Sequence, residues 1–317
     1  NKVSTCLIVD GLNLFTRHFV ANPSTSENGE SVGGIVGTLG AISRLSERFK
    51  PDRVVVVWES GGSLRKRAIY RDYKSGRRPQ RLNRYYLDDI PDTVQNRNSQ
   101  VEILISILSN LPVVQLYIRD CEADDLIGYM CKYKFKEWKK VIVSSDKDYY
   151  QLLDKKTLIY SPTWKKFVSF KEVKNKFGVS SENFCLAKSI CGDASDSIPG
   201  VKGAGFKTVA KRFPFLLDGE KISISDIVTE CKQKIENGSR VKVYQEIIDS
   251  EDVIRRNLKL IRLDTNNLSH MQIKKLVDEI DTFKPARNKI KVLQILKKEA
   301  IQNVNIDRFF LSMNFLS

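Results

Sequence analysis

The sequence predicts an α/β fold built on a parallel, doubly wound central sheet. Short apolar runs alternate along the chain with segments of helical periodicity. The apolar runs do not alternate with polar residues, as expected for strands that are covered on both faces. The predicted strands are residues 6–9, 54–58, 113–118 and 141–143, and the predicted helices between and beside them are residues 32–49, 101–111 and 124–136.

Acidic residues follow each of the four predicted strands. In chain order they are Asp10, then Glu59, then Glu122, Asp124 and Asp125, then Asp146 and Asp148. Open α/β sheets form their sites at the carboxyl ends of parallel strands. We therefore expect these four acidic groups to converge at one edge of the sheet.

A convergence of carboxylates is typical of a divalent-metal site. Mg²⁺ prefers oxygen ligands, and two such ions about 4 Å apart can hydrolyse a phosphodiester. Asp193 and Asp196 add two further carboxylates later in the chain. Each residue alone has a simpler interpretation, such as Asp146 capping a helix or Asp124 and Asp125 lying at a helix start. A cluster of unpaired carboxylates repels itself, however, so the group as a whole favours a metal site.

Residues 60–100 form a polar and basic insertion that is too long for a simple loop in a compact domain. Its first half carries Lys66, Tyr73, Lys74, Arg77 and Arg78. Basic residues interleaved with aromatic ones suit a single-stranded nucleic acid, because cations bind phosphates and rings stack on bases. A mobile surface insertion is the alternative interpretation.

A glycine-rich segment at residues 200–205 joins two predicted helices. Gly200, Gly203 and Gly205 permit a tight hairpin with close backbone approach, and Lys207 begins the next helix. Such a segment binds phosphate without reading bases, and Lys202 adds a charge. An ordinary αα-hairpin is the alternative. From Ile222 to the end the sequence is helical in pattern, rich in lysine and without an obvious motif.

Composition narrows the classes of function. The chain has 317 residues, with 53 Lys and Arg against 38 Asp and Glu, so its formal charge is +15. This charge favours a nucleic-acid partner, and a solvated, lysine-rich surface is the alternative interpretation. Six cysteines without a C-x-x-C pair and two histidines argue against zinc sites and Ser-His-Asp or Cys-His catalysis. No secretory signal or membrane span is predicted, so we expect a reduced, cytoplasmic protein of a bacterium or a phage-infected cell.

Four segments together resemble the signatures of the 5′-nuclease superfamily, in that family's order. The superfamily comprises flap endonucleases, the 5′ nuclease domain of DNA polymerase I and phage 5′ nucleases of the ribonuclease H type. The segments are Leu7-Ile8-Val9-Asp10-Gly11-x-Asn13, Cys121-Glu122-Ala123-Asp124-Asp125, Ser144-Ser145-Asp146-Lys147-Asp148 and Gly192-Asp193-x-x-Asp196-x-x-x-Gly200-x-x-Gly203-x-Gly205.

The resemblance implies a pair of Mg²⁺ ions, for which Mn²⁺ can substitute. Asp10, Glu59, Glu122 and Asp124 match the ligands of one ion, Asp146, Asp148 and Asp196 match those of the other, and Asp125 and Asp193 match nearby or water-mediated ligands. Glu59 departs from the family pattern, which usually has Asp at this position.

The resemblance also implies how nucleic acid is held. Residues 200–205 resemble the helix–three-turn–helix element, which grips duplex backbone and often binds K⁺. Tyr73-Lys74-x-x-Arg77 resembles the arch segment whose cations steer the scissile phosphate, with Arg65, Lys66 or Arg67 as a further cation. We also expect Lys74 and Arg77 to lie one helical turn apart.

The sequence thus predicts a Mg²⁺-dependent 5′ nuclease acting in DNA replication or repair on DNA flaps, nicks or RNA·DNA primer junctions. The alternatives are a non-catalytic branched-DNA-binding protein and a PIN-like single-strand ribonuclease. We expect a PIN-like nuclease core at residues 1–190, in which residues 60–100 resemble the family's arch over the active site. We expect the helix–three-turn–helix element and a helical region at residues 191–317. A monomer is expected, with a single-strand-binding protein or a sliding clamp as partner.

Overall fold

The computed structural model describes residues 2–77, 93–314 and 316. At its centre lies a six-stranded sheet in the order β3-β2-β1-β4-β5-β6, in which only the β5–β6 pair is antiparallel. The strands are β1 (Thr5–Asp10), β2 (Arg53–Trp58), β3 (Val114–Tyr117), β4 (Lys139–Val143), β5 (Thr157–Ser161) and β6 (Lys166–Val168). The predicted α/β fold with a mostly parallel sheet is confirmed, and the four predicted strands lie within two residues of the observed ones.

Helices surround the sheet. They are α1 (Gly11–Ala21), α2 (Gly33–Phe49), α3 (Leu64–Ile69), α4 (Thr93–Leu108), α5 (Ala123–Tyr129), α6 (Phe170–Phe177), α7 (Ser181–Cys191), α8 (Phe206–Arg212), α9 (Ile224–Glu236), α10 (Lys242–Asp249), α11 (Glu251–Ile261), α12 (His270–Asp281), α13 (Lys289–Lys298) and α14 (Ile306–Ser312). The predicted helix 124–136 is shorter than expected, because after α5 the chain widens into a π-helical turn, Met130–Lys134.

Both faces of the sheet are buried. Leu7 and Val9 of β1 share a hydrophobic core with helices that include α2 and α14, whereas Cys6 and Ile8 point to the other face, towards α5 and α12. This arrangement explains why the strands read as continuous apolar runs. The C-terminal helices α12–α14 therefore cover the sheet, and the predicted division at residue 190 stays a prediction.

The order of the strands fixes where a site can form. From β1 the chain adds β2 and β3 on one side, then crosses to add β4 and β5 on the other side. The direction of winding reverses beside β1, and such a reversal opens a crevice at the carboxyl ends of the strands. Asp10, the last residue of β1, lies at this crevice.

Residues 64–77 fold down towards the same edge of the sheet. The ring of Tyr73 is buried in a small cluster with residues such as Cys185 of α7 and Leu260 of α11. The guanidinium of Arg256 lies 4.1 Å from the ring centre of Tyr70. These contacts hold residues 69–73 of the predicted insertion against α7 and α11. Arg78 lies outside the described residues, as does the rest of 78–92.

The expectation that Lys74 and Arg77 lie on one helical turn is wrong. Helix α3 ends at Ile69, and residues 71–76 form turns. Lys74 has a φ of 59°, in the left-handed region that no right-handed helix allows.

None of the helices in the described ranges combines the length and the apolar character needed to cross a bilayer. All six cysteines are free thiols.

Candidate metal centre

A cleft of about 1140 Å³ opens at the carboxyl edge of the sheet. Seven of the nine predicted metal ligands line it, namely Asp10, Glu59, Glu122, Asp124, Asp146, Asp193 and Asp196. The other two, Asp125 and Asp148, are buried behind its wall, with 0% and 6% of their surfaces exposed. The structure thus brings the acidic residues of four strand ends to one place.

The carboxylate oxygens approach one another closely enough to share a metal ion. Three overlapping groups have ligand oxygens within 4.8 Å of one another: Glu122 with Asp124 and Asp125, Asp124 with Asp146 and Asp148, and Asp148 with Asp193 and Asp196. The groups form a chain across the cleft, because Asp124 and Asp148 each belong to two of them. Asp10 and Glu59 line the cleft outside these groups.

Asp10 is held by two hydroxyl groups from the β4 side of the sheet. Ser144 Oγ and Tyr149 OH lie 3.1 Å and 3.0 Å from Asp10 Oδ2, and both donate to it. Burial, together with the charges of Asp146 and Glu59, nevertheless raises the pKa of Asp10 to about 7. The two hydroxyl donors therefore do not offset the effect of burial and of the neighbouring negative charges on the pKa of Asp10.

Asp146 and Asp148 sit at the start of the 3₁₀ turn Lys147–Leu152, directly after β4. Asp146 Oδ1 accepts a hydrogen bond of 2.9 Å from the amide of Asp148, so Asp146 does cap this turn, as its simpler interpretation suggested. Its second oxygen remains available to the cleft. Burial and the charge of Asp146 raise the pKa of Asp148 to about 7.

Lys66 lies within the first carboxylate group. Its side chain is fully buried, and its Nζ is 2.7 Å from Glu122 Oε2, 3.1 Å from Asp125 Oδ2 and 3.6 Å from Asp124 Oδ1. Burial alone would lower the pKa of Lys66, but Asp124, Asp125 and Glu122 outweigh it and raise the pKa well above its ordinary value. Lys66 is therefore a charged residue that neutralises part of this group.

Two other predicted cations also contact carboxylates. Lys74 Nζ donates to Glu122 Oε1, and Arg77 donates from Nε to Asp196 Oδ1 at 3.0 Å. Burial would raise the pKa of Glu122, but Lys66 and Lys74 together lower it to about 2. Lys74 and Arg77 keep 17% and 53% of their side chains exposed, so a bound phosphate can reach them.

Tyr73 occupies a different position from the base-contacting one that we expected. Its ring is only 5% exposed, and its hydroxyl donates to Glu122 Oε2 at 3.0 Å. The ring anchors residues 64–77 to α7 and α11, and no face of it is open for stacking on a base.

Lys188 of α7 was not predicted from the sequence. Its Nζ donates to Asp148 Oδ1 and lies 2.7 Å from Asp193 Oδ2. Asp193 also accepts from the hydroxyl and amide of Ser195, at 2.6 Å and 3.0 Å. The available signal was a single lysine in the stretch 184–190, which is otherwise apolar except for Ser189, since a lone charge facing a core needs a partner.

Asn267 was also missed. Its Nδ2 donates to Asp125 Oδ1 at 3.0 Å, while Lys66 lies by the other oxygen. Asp125 therefore supports its neighbours from behind the wall of the cleft. A short loop after α11 supplies Asn267, and no sequence pattern marks it.

The residues present fit a divalent cation. Asp124 Oδ1 is buried and accepts no hydrogen bond within the part of the chain that the structure describes. Burial, with the charges of Glu122 and Asp125, raises the pKa of Asp124 well above its ordinary value. Oxygen ligands in excess of the local positive charge are what Mg²⁺ or Mn²⁺ takes.

The glycine hairpin lies between α7 and α8, as predicted. A Cβ atom at Gly200 would lie 2.0 Å from the carbonyl oxygen of Cys191, so only glycine fits there. Gly203 has a φ of 75° and open space around it. Asn257 Nδ2 donates to the carbonyl oxygens of Pro199, at 2.8 Å, and of Ser189, at 3.0 Å. It thereby ties the start of the hairpin to the end of α7.

The outer surface of the hairpin faces solvent. Lys202, Gly203, Gly205 and Lys207 are all exposed. Ser197 Oγ, three residues before the hairpin, accepts a 3.2 Å hydrogen bond from the amide of Gly76 in the segment that carries Lys74 and Arg77.

Relatives of known name match the chain over most of its length. A 5′–3′ exonuclease of Aquifex aeolicus is 28% identical over 293 residues, which is 88% of this chain and 96% of that protein. A DNA polymerase I of Caldicellulosiruptor bescii is 27% identical over 308 residues, which is 93% of this chain, but the chain spans only about a third (34%) of that polymerase.

A solved structure shares the fold. It is the flap endonuclease D15 of bacteriophage T5 in a pseudo-enzyme–product complex with DNA and metal ions, with a TM-score of 0.66 at 20% identity. The match covers 94% of this chain and 100% of the phage protein.

One family model matches residues 5–178, and its description is the N-terminal resolvase-like domain of 5′–3′ exonucleases. The matched range contains β1 to β6 and seven of the nine predicted ligands, all but Asp193 and Asp196. The predicted resemblance to the 5′-nuclease superfamily is confirmed. Since the match covers more than half of the chain, this protein belongs to the 5′–3′ exonuclease family.

Proposed function

We propose that this protein is a Mg²⁺-dependent, structure-specific 5′ nuclease that hydrolyses phosphodiesters near single-strand/duplex junctions in DNA. The observation that carries the proposal is the row of carboxylates across the cleft, with Lys74 and Arg77 at its margin. Clustered carboxylates alone would repel a polyanion. Cations beside them let the same cleft accept a phosphate.

Asp124, Asp146 and Asp148 are the residues that we expect to hold a divalent ion most directly, since their oxygens share one group at the centre of the row. A second ion would use Asp148 with Asp193 and Asp196, in exchange for the contact with Lys188. When bound, such ions activate water and stabilise the leaving oxygen of a phosphodiester. Mn²⁺ has a similar preference for oxygen ligands and should substitute.

Lys74 and Arg77 are the residues that we assign to the scissile phosphate. Each pairs with a carboxylate of the cleft through a side chain that remains partly exposed. A phosphate that enters the cleft offers both cations a new anionic partner. Glu122 would keep its contact with Lys66, and Asp196 would be free to bind a metal ion. Beside the phosphate, the two cations would stabilise the charge that develops on it.

Lys66 is less suited to contact the substrate. It has no exposed surface and three carboxylate neighbours. We propose that it acts as a fixed counter-charge that holds Glu122, Asp124 and Asp125 together.

The hairpin at residues 200–205 is proposed to hold duplex backbone. Its glycines let phosphates approach the main chain, and Lys202 and Lys207 supply charge on the same exposed surface. These contacts read no bases, so binding should not depend on sequence. A K⁺ ion bound to the hairpin, a monomeric state, and a clamp or single-strand-binding protein as partner stay predictions.

The test is direct. End-labelled DNA flaps, nicked duplexes and RNA·DNA hybrids are incubated with the protein in Mg²⁺, and the products are sized. We expect cleavage close to the junction of at least one substrate and none with EDTA. Equal cleavage of unstructured single strands, or binding to branched DNA without cleavage, would contradict the proposal.

A further inference from the structure

We infer that Trp164, in the turn between β5 and β6, stacks on an unpaired base of the bound strand. This inference rests on the proposed function and names a contact at the mouth of the same cleft. β5 runs parallel to β4, so its last residue, Ser161, reaches the carboxyl edge of the sheet. The turn at residues 162–165 therefore lies at the edge that carries the carboxylates.

Hydrogen bonds tie this turn to the metal-binding wall. The amide of Thr163 donates to Ser145 Oγ at 3.0 Å, and Ser161 Oγ lies 3.2 Å from the same atom. Ser145 immediately precedes Asp146, and its amide donates to Asn13 Oδ1 at 2.9 Å. Thr163 and Ser145 both line the cleft. The position of Trp164 is therefore set relative to the carboxylates.

The indole ring is unusually open. Trp164 is 68% exposed, whereas Trp58 is 4% exposed. An indole ring left in water forgoes a large part of the free energy of hydrophobic burial. A ring held at such a place by a hydrogen-bonded turn is available to cover an apolar face of a ligand.

The surroundings select the ligand. Lys165 and Lys166 follow the ring in the sequence and are exposed. Arg17 lines the cleft. Burial lowers the pKa of His18 to about 4, and the positive charges of Arg44, Arg17 and Lys165 lower it further, so these cations lie close together. An open aromatic ring among cations fits a polynucleotide, whose bases stack while its phosphates pair with the charges.

The physics of stacking also narrows the ligand to an unpaired base. Inside a duplex each base face is covered by its neighbours, so an exposed ring can reach only an unpaired base or the end of a duplex. The turn and the segment 64–77 follow strands on opposite sides of β1 and β4. Trp164 would thus hold the strand on one side of the cleft, while Lys74 and Arg77 contact its phosphate from the other.

The test uses the whole protein and compares Trp164→Ala and Trp164→Phe with the wild type. Affinity for a 5′-flap DNA and for a blunt duplex of equal length is measured in Ca²⁺, which should support binding without cutting. We expect Trp164→Ala to weaken flap binding by about 5- to 100-fold. Trp164→Phe, which keeps a ring, should bind the flap within about threefold of the wild type. The affinity of Trp164→Ala for the blunt duplex, whose only open base faces are at its two ends, should fall much less than its affinity for the flap.

Two further readouts separate the outcomes. Flap DNA should quench the tryptophan fluorescence of the wild type and much less that of Trp164→Ala. Tyr133→Ala is the matched control, because Tyr133 is 54% exposed in the turn after α5, away from the cleft. Wild-type affinity of Trp164→Ala for the flap, or equal losses for flap and blunt duplex, would overturn the inference. If the wild type itself neither bound nor cut any DNA, the proposed function would fail instead.

Discussion

The carboxylates and the cations of the cleft come from regions of different character. Seven of the nine carboxylates lie at the ends of strands of a parallel sheet, whose register fixes where each strand ends, and Asp193 and Asp196 follow α7. The cations come mainly from residues 64–77, whose position depends on the packing of Tyr73 against α7 and α11. The positions of charges at strand ends therefore follow from the strand order alone, whereas the positions of charges on a connecting segment depend on its tertiary contacts.

A second contrast lies within residues 64–77. Lys66 and Lys74 both pair with Glu122, yet Lys66 is fully buried among three carboxylates and Lys74 is 17% exposed in a turn. We therefore assign different roles to these two lysines: Lys66 stabilises the folded site, and Lys74 contacts the substrate.

The largest effect is expected at the sheet edge. Asp148→Asn should slow cleavage of flap DNA by more than about 100-fold. The substitution removes an anionic ligand and weakens metal binding, and a bound metal ion supplies several kcal/mol of transition-state stabilisation. Binding to the same DNA in Ca²⁺ should change little, since the basic surface supplies affinity. Asp249→Asn, at an exposed position at the end of α10, is the control and should cut normally. Cleavage by Asp148→Asn at the wild-type rate would remove Asp148 from the site.

Lys66→Met should be the most destabilising change among the cations. It leaves three buried carboxylates without their shared partner, which costs about 3–5 kcal/mol of unfolding free energy. Denaturant unfolding in EDTA measures the loss, and Mg²⁺ should reduce it because a divalent ion replaces the missing charge. Lys74→Met should destabilise much less. Equal losses for the two variants would contradict the distinction between these lysines.

Lys74→Ala should act on the chemical step. Single-turnover cleavage at saturating enzyme should slow by about 100-fold, comparable to the loss of one donor to a developing negative charge. Affinity in Ca²⁺ should fall by less than about threefold, as for one exposed charge among many. Lys171→Ala, an exposed lysine of α6, is the control. If saturating enzyme restored the wild-type rate, Lys74 would only recruit substrate.

The smallest effect is expected at the hairpin, outside both regions. Gly203→Val should weaken binding to duplex-containing DNA by about twofold to tenfold, the equivalent of one lost hydrogen bond to backbone phosphate. Gly29→Val is a matched control, since Gly29 has a φ of 79° and equally open space. Both variants should show similar strain in unfolding experiments, and only Gly203→Val should bind duplex more weakly. A loss that depended on DNA sequence would argue against backbone recognition.

The sheet edge was predictable from the sequence, and the cation network was not. Apolar runs and the acidic residues that follow them located the cleft, because parallel strands share one carboxyl edge. The strands β5 and β6 were not predicted. β5 alternates between buried and half-buried residues within a lysine-rich stretch, and β6 has only three residues. Tyr73 resembled a base-stacking residue, and only tertiary contacts reveal that it anchors the segment.

The central claim is that the carboxylates at the sheet edge bind a divalent cation. Crystals soaked in Mn²⁺ test it most directly, because anomalous scattering locates the ion independently of activity. We expect Mn²⁺ within about 2.5 Å of oxygens from Asp124, Asp146 or Asp148. An ordered cleft with those carboxylates paired only to Lys66, Lys74 and Lys188 and no ion among them would contradict it.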